Sequence, residues 1–433
     1  MTRVFLVGVN TDEGGDYGHS MEELALLAEA CDMEVVGQTV QNMPTIHKGL
    51  YVGSGKVAQI REEAQALDAG LLLLNDSLTP SQLANLQDET GLAVMDRTTL
   101  ILEIFAARAK TREAMLQVEV ARLQYMMPRL IGLHEALTRQ GGTSGSMSSR
   151  GAGEKKLELD RRRIQHRLTE LRRELAGLES QRQIQQKKRE KSQIPRVALV
   201  GYTNAGKSTL LNAMIDRYVP DGEKEEKKVF ARDMLFATLD TTVRKIVPRE
   251  NKAILLSDTV GFIDRLPHGL VKAFRSTLSE AAGADLILQV VDFADPHYKE
   301  QIEVTKETLQ EIGAGDVPVF YVFNKADLTQ AHASENGLIP MFPLPKVIEQ
   351  AIYMSAREGI GLEELVDEII KRVYAGQKTC EVLLPYNKGD LFSYLKENAN
   401  VLSAAYEAEG IRAVVECGEA DYGRLQAYLT DQK

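Results

Sequence analysis

Residues 197–209 read Val-Ala-Leu-Val-Gly-Tyr-Thr-Asn-Ala-Gly-Lys-Ser-Thr, and few folds can hold such a stretch. The apolar run Val197–Val200 predicts a buried strand. Gly201, four variable residues and Gly206-Lys207-Ser208 follow, and a helical pattern opens at Thr209. A glycine-rich turn between a buried strand and a helix is the phosphate-binding loop of doubly wound, mostly parallel α/β sheets. Its residue types follow from the ligand. Glycines let the backbone curl so that N–H groups across Asn204, Ala205 and Gly206 point at phosphate oxygens. The helix beginning there adds its positive end through Lys207, Ser208 and Thr209. The Lys207 amine can reach the β- and γ-phosphates, and the Ser208 hydroxyl can bind magnesium. A nucleoside triphosphate is the expected ligand.

Four later stretches select guanine over adenine. The apolar run 317–323 predicts a strand leading into Asn324-Lys325-Ala326-Asp327. A carboxylate at Asp327 accepts from both N1–H and N2–H₂ of guanine, and adenine has no such donor pair. Asn324 braces the loop, and the Lys325 stem packs on the base. Beyond the short run Ile352–Met354, Ser355-Ala356 can offer backbone N–H to guanine O6. A strand at Ala253–Leu256 runs into Ser257-Asp258-Thr259-Val260-Gly261-Phe262. Asp258 is placed to hold magnesium through water, and the Gly261 N–H to touch the γ-phosphate. Loss of that phosphate would release the segment, as in a switch. Within Phe236-Ala-Thr-Leu-Asp-Thr-Thr242, one threonine should close over magnesium and the γ-phosphate. Thr238 is the first choice, with Thr241 and Thr242 open.

A chain of 433 residues predicts about three domains. Residues 1–109 read as a small parallel α/β domain. Strand-like runs at 4–9, 35–40, 71–74 and 92–95 alternate there with helical patterns at 21–30, 57–67 and 81–86. In Gly53-Ser54-Gly55-Lys56 a plain strand-to-helix turn is favoured over a second nucleotide site. Residues 110–194 predict an antiparallel coiled helical hairpin. Leu116, Val120, Leu123 and Met127 form one seam, which Pro128 is expected to interrupt; Leu157, Ile164, Leu168, Leu171, Leu175 and Leu178 form the other. Residues 140–153, glycine- and serine-rich, make a loop at its tip, read evenly as a tolerated connection or a functional finger. The nucleotide domain occupies 195–374. Residues 377–433 predict a small α+β domain of β-α-β-β-α order.

The chain carries a net charge of −10, against a generally basic nucleic-acid binder, yet residues 150–196 hold 15 Lys and Arg against seven acids. That stalk suits an anionic partner such as RNA. No apolar run nears the roughly 18 residues of a membrane span, and the early acidic N-terminus is unlike a signal peptide. The three cysteines lack the spacing of disulfides or zinc sites. A cytoplasmic, monomeric protein is expected.

Over nearly its whole length the chain resembles the HflX family of ribosome-associated GTPases. The resemblance is carried by the loop 201–209, Phe-Ala-Thr-Leu-Asp (236–240), Asp-Thr-Val-Gly-Phe (258–262), Asn-Lys-Ala-Asp (324–327) and Ser-Ala-Arg-Glu-Gly (355–359). Leu-Gln-Val-Glu-Val-Ala-Arg-Leu-Gln-Tyr (116–125) and Gly-Glu-Lys-Lys-Leu-Glu-Leu-Asp-Arg-Arg (153–162) make it more specific. It implies a GTPase that binds the large ribosomal subunit and its RNA, not DNA, and that splits or rescues stalled ribosomes under stress. It also implies a potassium ion at Asn204. Phe262 stands where many GTPases carry a water-orienting glutamine, so basal hydrolysis is expected to be slow and ribosome-stimulated, with Lys207, Thr238 and Gly261 as the catalytic set. Two rival readings are a GTP-dependent scaffold for protein partners and a GTPase coupled to RNA modification.

Overall fold

A computed structural model of the protein describes residues 1–11, 17–140, 158–178, 180, 194–220, 235–236, 242–249, 252–264, 280–329 and 343–430. Contacts divide the chain into two units. The first comprises 1–182 with 232–240 and 264–276; the second comprises 183–231, 241–263 and 277–433. Two short stretches of the nucleotide domain as delimited by sequence therefore belong to the first unit.

In the first unit, strands β1 (Thr2–Asn10), β2 (Met33–Asn42), β3 (Leu71–Leu74) and β4 (Ala93–Asp96) form a parallel sheet in the order β2-β1-β3-β4. Its central members are apolar without alternation: Val4–Val9 and all of Leu71–Leu74 are buried. A strand reads this way when both of its faces are covered. Helices α1 (Tyr17–Ala30), α2 (Ser54–Ala66) and α3 (Pro80–Thr90) supply the crossovers, and α4 (Arg97–Arg108) follows β4. Gly53 caps α2 and donates its N–H to Gln41 Oε1 at 2.9 Å, so Ser54-Gly55-Lys56 is the first turn of that helix and does not lead directly out of β2, which ends at Asn42.

Helix α5 (Arg112–Gln140) and helix α6 (158–178) make the hairpin. Leu116 and Val120 bury against Leu168 and Leu171, with Leu123, Met127, Ile164, Leu175 and Leu178 packed around them. The pairs Arg112–Glu174 and Arg167–Glu119 run in opposite senses along the two helices, so the hairpin is antiparallel. Gln140 ends α5, and Leu157 and residues 141–153 of the tip loop lie outside the described residues.

One expectation fails: α5 continues through Pro128. Proline removes one helical N–H and crowds the carbonyls a turn earlier. Here the next residue anchors the helix to the sheet. Arg129 donates to the Tyr125 carbonyl at 3.2 Å, its guanidinium lies 3.4 Å over the Tyr125 ring, and it pairs with Asp96 at 2.8 Å. Asp96 is fully buried and also accepts from the N–H groups of Leu78 and Thr99 and from the Tyr125 hydroxyl. The helix is thus held on both sides of the proline by a partner some 30 residues earlier in the chain.

The second unit is built on a seven-stranded sheet. Its members are β5 (Arg196–Val200), β6 (Thr242–Arg249), β7 (Lys252–Asp258), β8 (Leu286–Asp292), β9 (Val319–Asn324), β10 (Lys346–Ile348) and β11 (Ala351–Tyr353). The order is β10-β11-β9-β8-β5-β7-β6, with only the edge strands β10 and β6 antiparallel. β5 and β8 are central and buried almost throughout. Helices α7 (Lys207–Tyr218), α8 (Tyr298–Glu311) and α9 (Leu362–Val373) follow their strands in this unit, and α7 and α9 bury leucines and isoleucines in one core with β5, β7 and β8. The result is a doubly wound α/β sheet whose loops after β5, β7, β9 and β11 meet at one edge.

In the C-terminal part, β12 (Lys378–Leu384), α10 (Gly389–Asn398), β13 (Asn400–Glu407), β14 (Gly410–Cys417) and α11 (Glu419–Leu425) follow the β-α-β-β-α order, with the sheet arranged β12-β14-β13. It is fastened to the tip of the β6–β7 hairpin. Lys252 pairs with Glu416 at 3.0 Å. Among the described residues no helix is long and apolar enough to cross a membrane.

Candidate functional site

The loop after β5 begins α7. Gly206 caps that helix with φ +94°, and a Cβ there would come within 2.2 Å of Asn324 Nδ2, so a side chain is excluded by both conformation and space. Asn204 also takes a left-handed φ of +60°. These two turns wrap the backbone around the Lys207 side chain.

Lys207 is 6% exposed and donates through Nζ to the carbonyls of Gly201 at 2.9 Å and Tyr202 at 2.7 Å. Burial pushes its amine down from 10.5 to about 8, and the carboxylate of Asp258 offsets part of that shift. A buried ammonium held mainly by carbonyl dipoles is a site built for a stronger anion. A phosphate there would restore the charged form. The Ser208 hydroxyl donates to Asp258 Oδ2 at 2.7 Å, and Asp258 is 1% exposed at the end of β7. A hydroxyl and a buried carboxylate side by side, next to a phosphate loop, form a donor set of hard oxygens that suits magnesium.

The segment after β7 is stitched to the loop. Thr203 N–H donates to the Phe262 carbonyl at 2.7 Å and Phe262 N–H to the Gly201 carbonyl at 3.1 Å. Gly261 then lies so close that a Cβ on it would be 3.1 Å from Lys207 Nζ. Thr259 is anchored below, its hydroxyl donating to the Leu199 carbonyl at 2.7 Å. Phe262 is 3% exposed.

The base-recognition stretch joins the same assembly. Asn324 donates from Nδ2 to the Ala205 carbonyl and accepts at Oδ1 from the Ala356 N–H, both at 2.9 Å. Asp327 Oδ1 is buried and without a hydrogen-bond partner among the described residues. An acceptor in that state fits the paired N–H donors of guanine. Lys325, at φ +57°, pairs through Nζ with Asp292 at 2.7 Å, which holds its stem in place. Asp292 escapes sequence reasoning, although a carboxylate closing the apolar run of β8 is the signal that marks it. Ser355 N–H donates to the Ile360 carbonyl, so in this structure both backbone donors of Ser355-Ala356 serve the protein, bracing the loop and Asn324.

Of the three candidate threonines, Thr238 and Thr241 fall outside the described residues. Thr242 opens β6 opposite Asp258, and its hydroxyl is buried without a partner among the described residues. Phe236 packs edge-on against Phe105 of α4 with ring centroids 4.7 Å apart, and Arg97 of α4 reaches the Asp264 carbonyl at 3.4 Å. All four residues belong to the first unit. Thus Asn204, Ala205, Gly206, Lys207, Ser208, Asp258, Gly261, Asn324, Lys325, Asp327, Ser355 and Ala356 converge, and Thr209 lies in the first turn of α7.

Three family models match in succession: a GTP-binding GTPase N-terminal region over residues 18–106, a GTP-binding GTPase middle region over 108–189 and a 50S ribosome-binding GTPase over 196–325. The chain is 41% identical over 420 residues to the GTPase HflX of Caldanaerobacter subterraneus subsp. tengcongensis, covering 96% of this chain and 91% of that one. It is 38% identical over 437 residues to the GTPase HflX of Akkermansia muciniphila, covering 99% and 97%. Among solved structures it is similar to a GTP-binding protein from Sulfolobus solfataricus in complex with GDP. That match has 24% identity and a TM-score of 0.43, over 87% of this chain and 99% of that one.

Proposed function

The chain belongs to the HflX family of GTPases, and on that premise we propose that its hydrolysis of GTP drives a switch that docks on the large ribosomal subunit and splits or rescues stalled ribosomes under stress. The observation that carries the ribosomal part is the match of residues 196–325, which hold most of the nucleotide site, to a 50S ribosome-binding GTPase. The paired helices α5 and α6, with exposed arginines such as Arg162 and Arg163, support contact with ribosomal RNA through phosphate neutralisation. The protein acts as a monomer in the cytoplasm and does not engage DNA.

In this reading the Lys207 ammonium leaves the Gly201 and Tyr202 carbonyls for the β- and γ-phosphates. Ser208 and, through water, Asp258 would hold Mg²⁺, with Thr238 closing over it and a K⁺ ion beside Asn204. The metal supplies charge neutralisation to the phosphates. The Gly261 N–H donates to the γ-phosphate. Asp327 takes the guanine N1–H and N2–H₂, and Ser355-Ala356 turns a backbone donor to O6. The Phe262 ring offers no hydrogen bond to water, so basal turnover is slow and the large subunit accelerates it.

The test is sedimentation of the full chain with isolated ribosomal subunits in GDP and in a non-hydrolysable GTP analogue. Pelleting with the large subunit in the analogue alone is the expected result. No pelleting in either state would leave a GTPase that scaffolds protein partners instead.

A further inference from the structure

Thr203 occupies one of the four variable positions of the phosphate loop. It is 6% exposed, and its Oγ1 is buried without a hydrogen-bond partner among the described residues. A buried hydroxyl normally finds a partner, and exceptions concentrate where a ligand completes the set. Its surroundings are those of the reacting end of the nucleotide. The backbone of Thr203 is bonded to the Phe262 carbonyl. A Cβ placed on Gly261 would stand 3.0 Å from Thr203 Cα, 3.0 Å from its Cγ2 and 3.1 Å from Lys207 Nζ. Thr203, through its Cα and methyl group, and the Lys207 ammonium therefore both lie against the Gly261 position, while Phe262 fills the neighbouring position with a ring that cannot bond water.

We propose that the Thr203 hydroxyl contacts the γ-phosphate of bound GTP and holds the attacking water beside it, the task for which Phe262 has no polar group. A hydroxyl is both donor and acceptor. It donates to a γ-phosphate oxygen and accepts from the water. The water oxygen forms a bond to the γ-phosphorus, the bond from that phosphorus to the β–γ bridging oxygen breaks, and the bridging oxygen leaves with GDP. The water proton ends on the released phosphate, and Thr203 keeps its own. This assignment rests on GTP occupying the loop as described above.

The experiment compares Thr203→Val, which keeps the shape and removes the hydroxyl, with Thr203→Ser, which restores it. Single-turnover hydrolysis of GTP and affinity for fluorescent GDP are measured on the full chain. The expected result is hydrolysis about 10²-fold slower in T203V, GDP affinity within roughly twofold of the parent, and T203S close to the parent in both. Parental hydrolysis by T203V overturns the proposal. So does equal loss of GDP affinity and hydrolysis, or failure of serine to rescue. The parent protein and Lys207→Ala serve as controls. Failure of the parent to hydrolyse, or tight GDP binding by K207A, would instead overturn the nucleotide site.

Discussion

Asn324 Nδ2 donates to the carbonyl of Ala205 at 2.9 Å, across 119 residues of sequence. The same side chain accepts from the Ala356 N–H. One amide therefore joins the phosphate loop, the base-recognition strand and the turn after β11, and base and phosphates are read by a single rigid assembly.

Replacing Asn324 by alanine leaves the Ala205 carbonyl and the Ala356 N–H buried and unpaired. At about 1–3 kcal/mol for each, GDP affinity should fall on the order of 10²-fold and the protein should melt earlier. Titration with fluorescent GDP and a thermal melt check both. Unchanged GDP affinity would show that the bracing is dispensable.

Asp327→Asn exchanges one acceptor for a donor. Guanine N2–H₂ then faces an amide NH₂, whereas xanthine presents a carbonyl oxygen at that position. GDP binding should weaken by about 10²-fold or more while xanthosine diphosphate gains. Competition between the two nucleotides reads the reversal, and continued preference for GDP would place base recognition elsewhere.

Lys207 predicts a pH dependence. Its folded value of about 8 lies below 10.5, so between these values the unfolded chain binds more protons. Stability of the nucleotide-free protein should therefore rise with pH across that window. Nucleotide binding goes the other way. Phosphate favours the ammonium, so GDP affinity should be level below about pH 8 and then fall by up to about tenfold per pH unit. Titrations from neutral pH upward give the curve, and Lys207→Met should flatten it.

Asp96 should be a weak point of the first unit. Asp96→Ala strands Arg129, which is 12% exposed on its side chain, together with the N–H groups of Leu78 and Thr99. Breaking such a buried pair costs about 3–5 kcal/mol, and α5 loses the support that carries it past Pro128. Chemical denaturation followed by circular dichroism should show the loss. An unaltered midpoint would mean that α5 needs no such support.

Much of this architecture is local and could be read from the chain. Four apolar residues in a row mark β3 and β5, because a strand covered on both faces has no polar positions. Leucines at alternating spacings of three and four mark the hairpin, because helix geometry places them on one stripe. The residue types at Lys207, Ser208, Asp258 and Asp327 follow from the charges and donors of the ligand, which no other side chains match as well at those spacings.

Other features depend on partners far along the chain. Proline's local effect argues for a break at residue 128, and only Arg129 lying over Tyr125 and reaching Asp96 reverses it. Asp292 shows its role only when β8 and β9 lie side by side and bring it to Lys325. The backbone of Ser355-Ala356, legible as donors to a base, is engaged inside the protein once the strands are in register. Thr203 is one of four variable positions until folding buries its hydroxyl and sets its Cα and methyl against Gly261. Periodicity and turn chemistry act over a few neighbouring residues and so leave their mark in the order of amino acids. Which buried donor meets which acceptor depends on packing between distant segments, and that exists only in the folded chain.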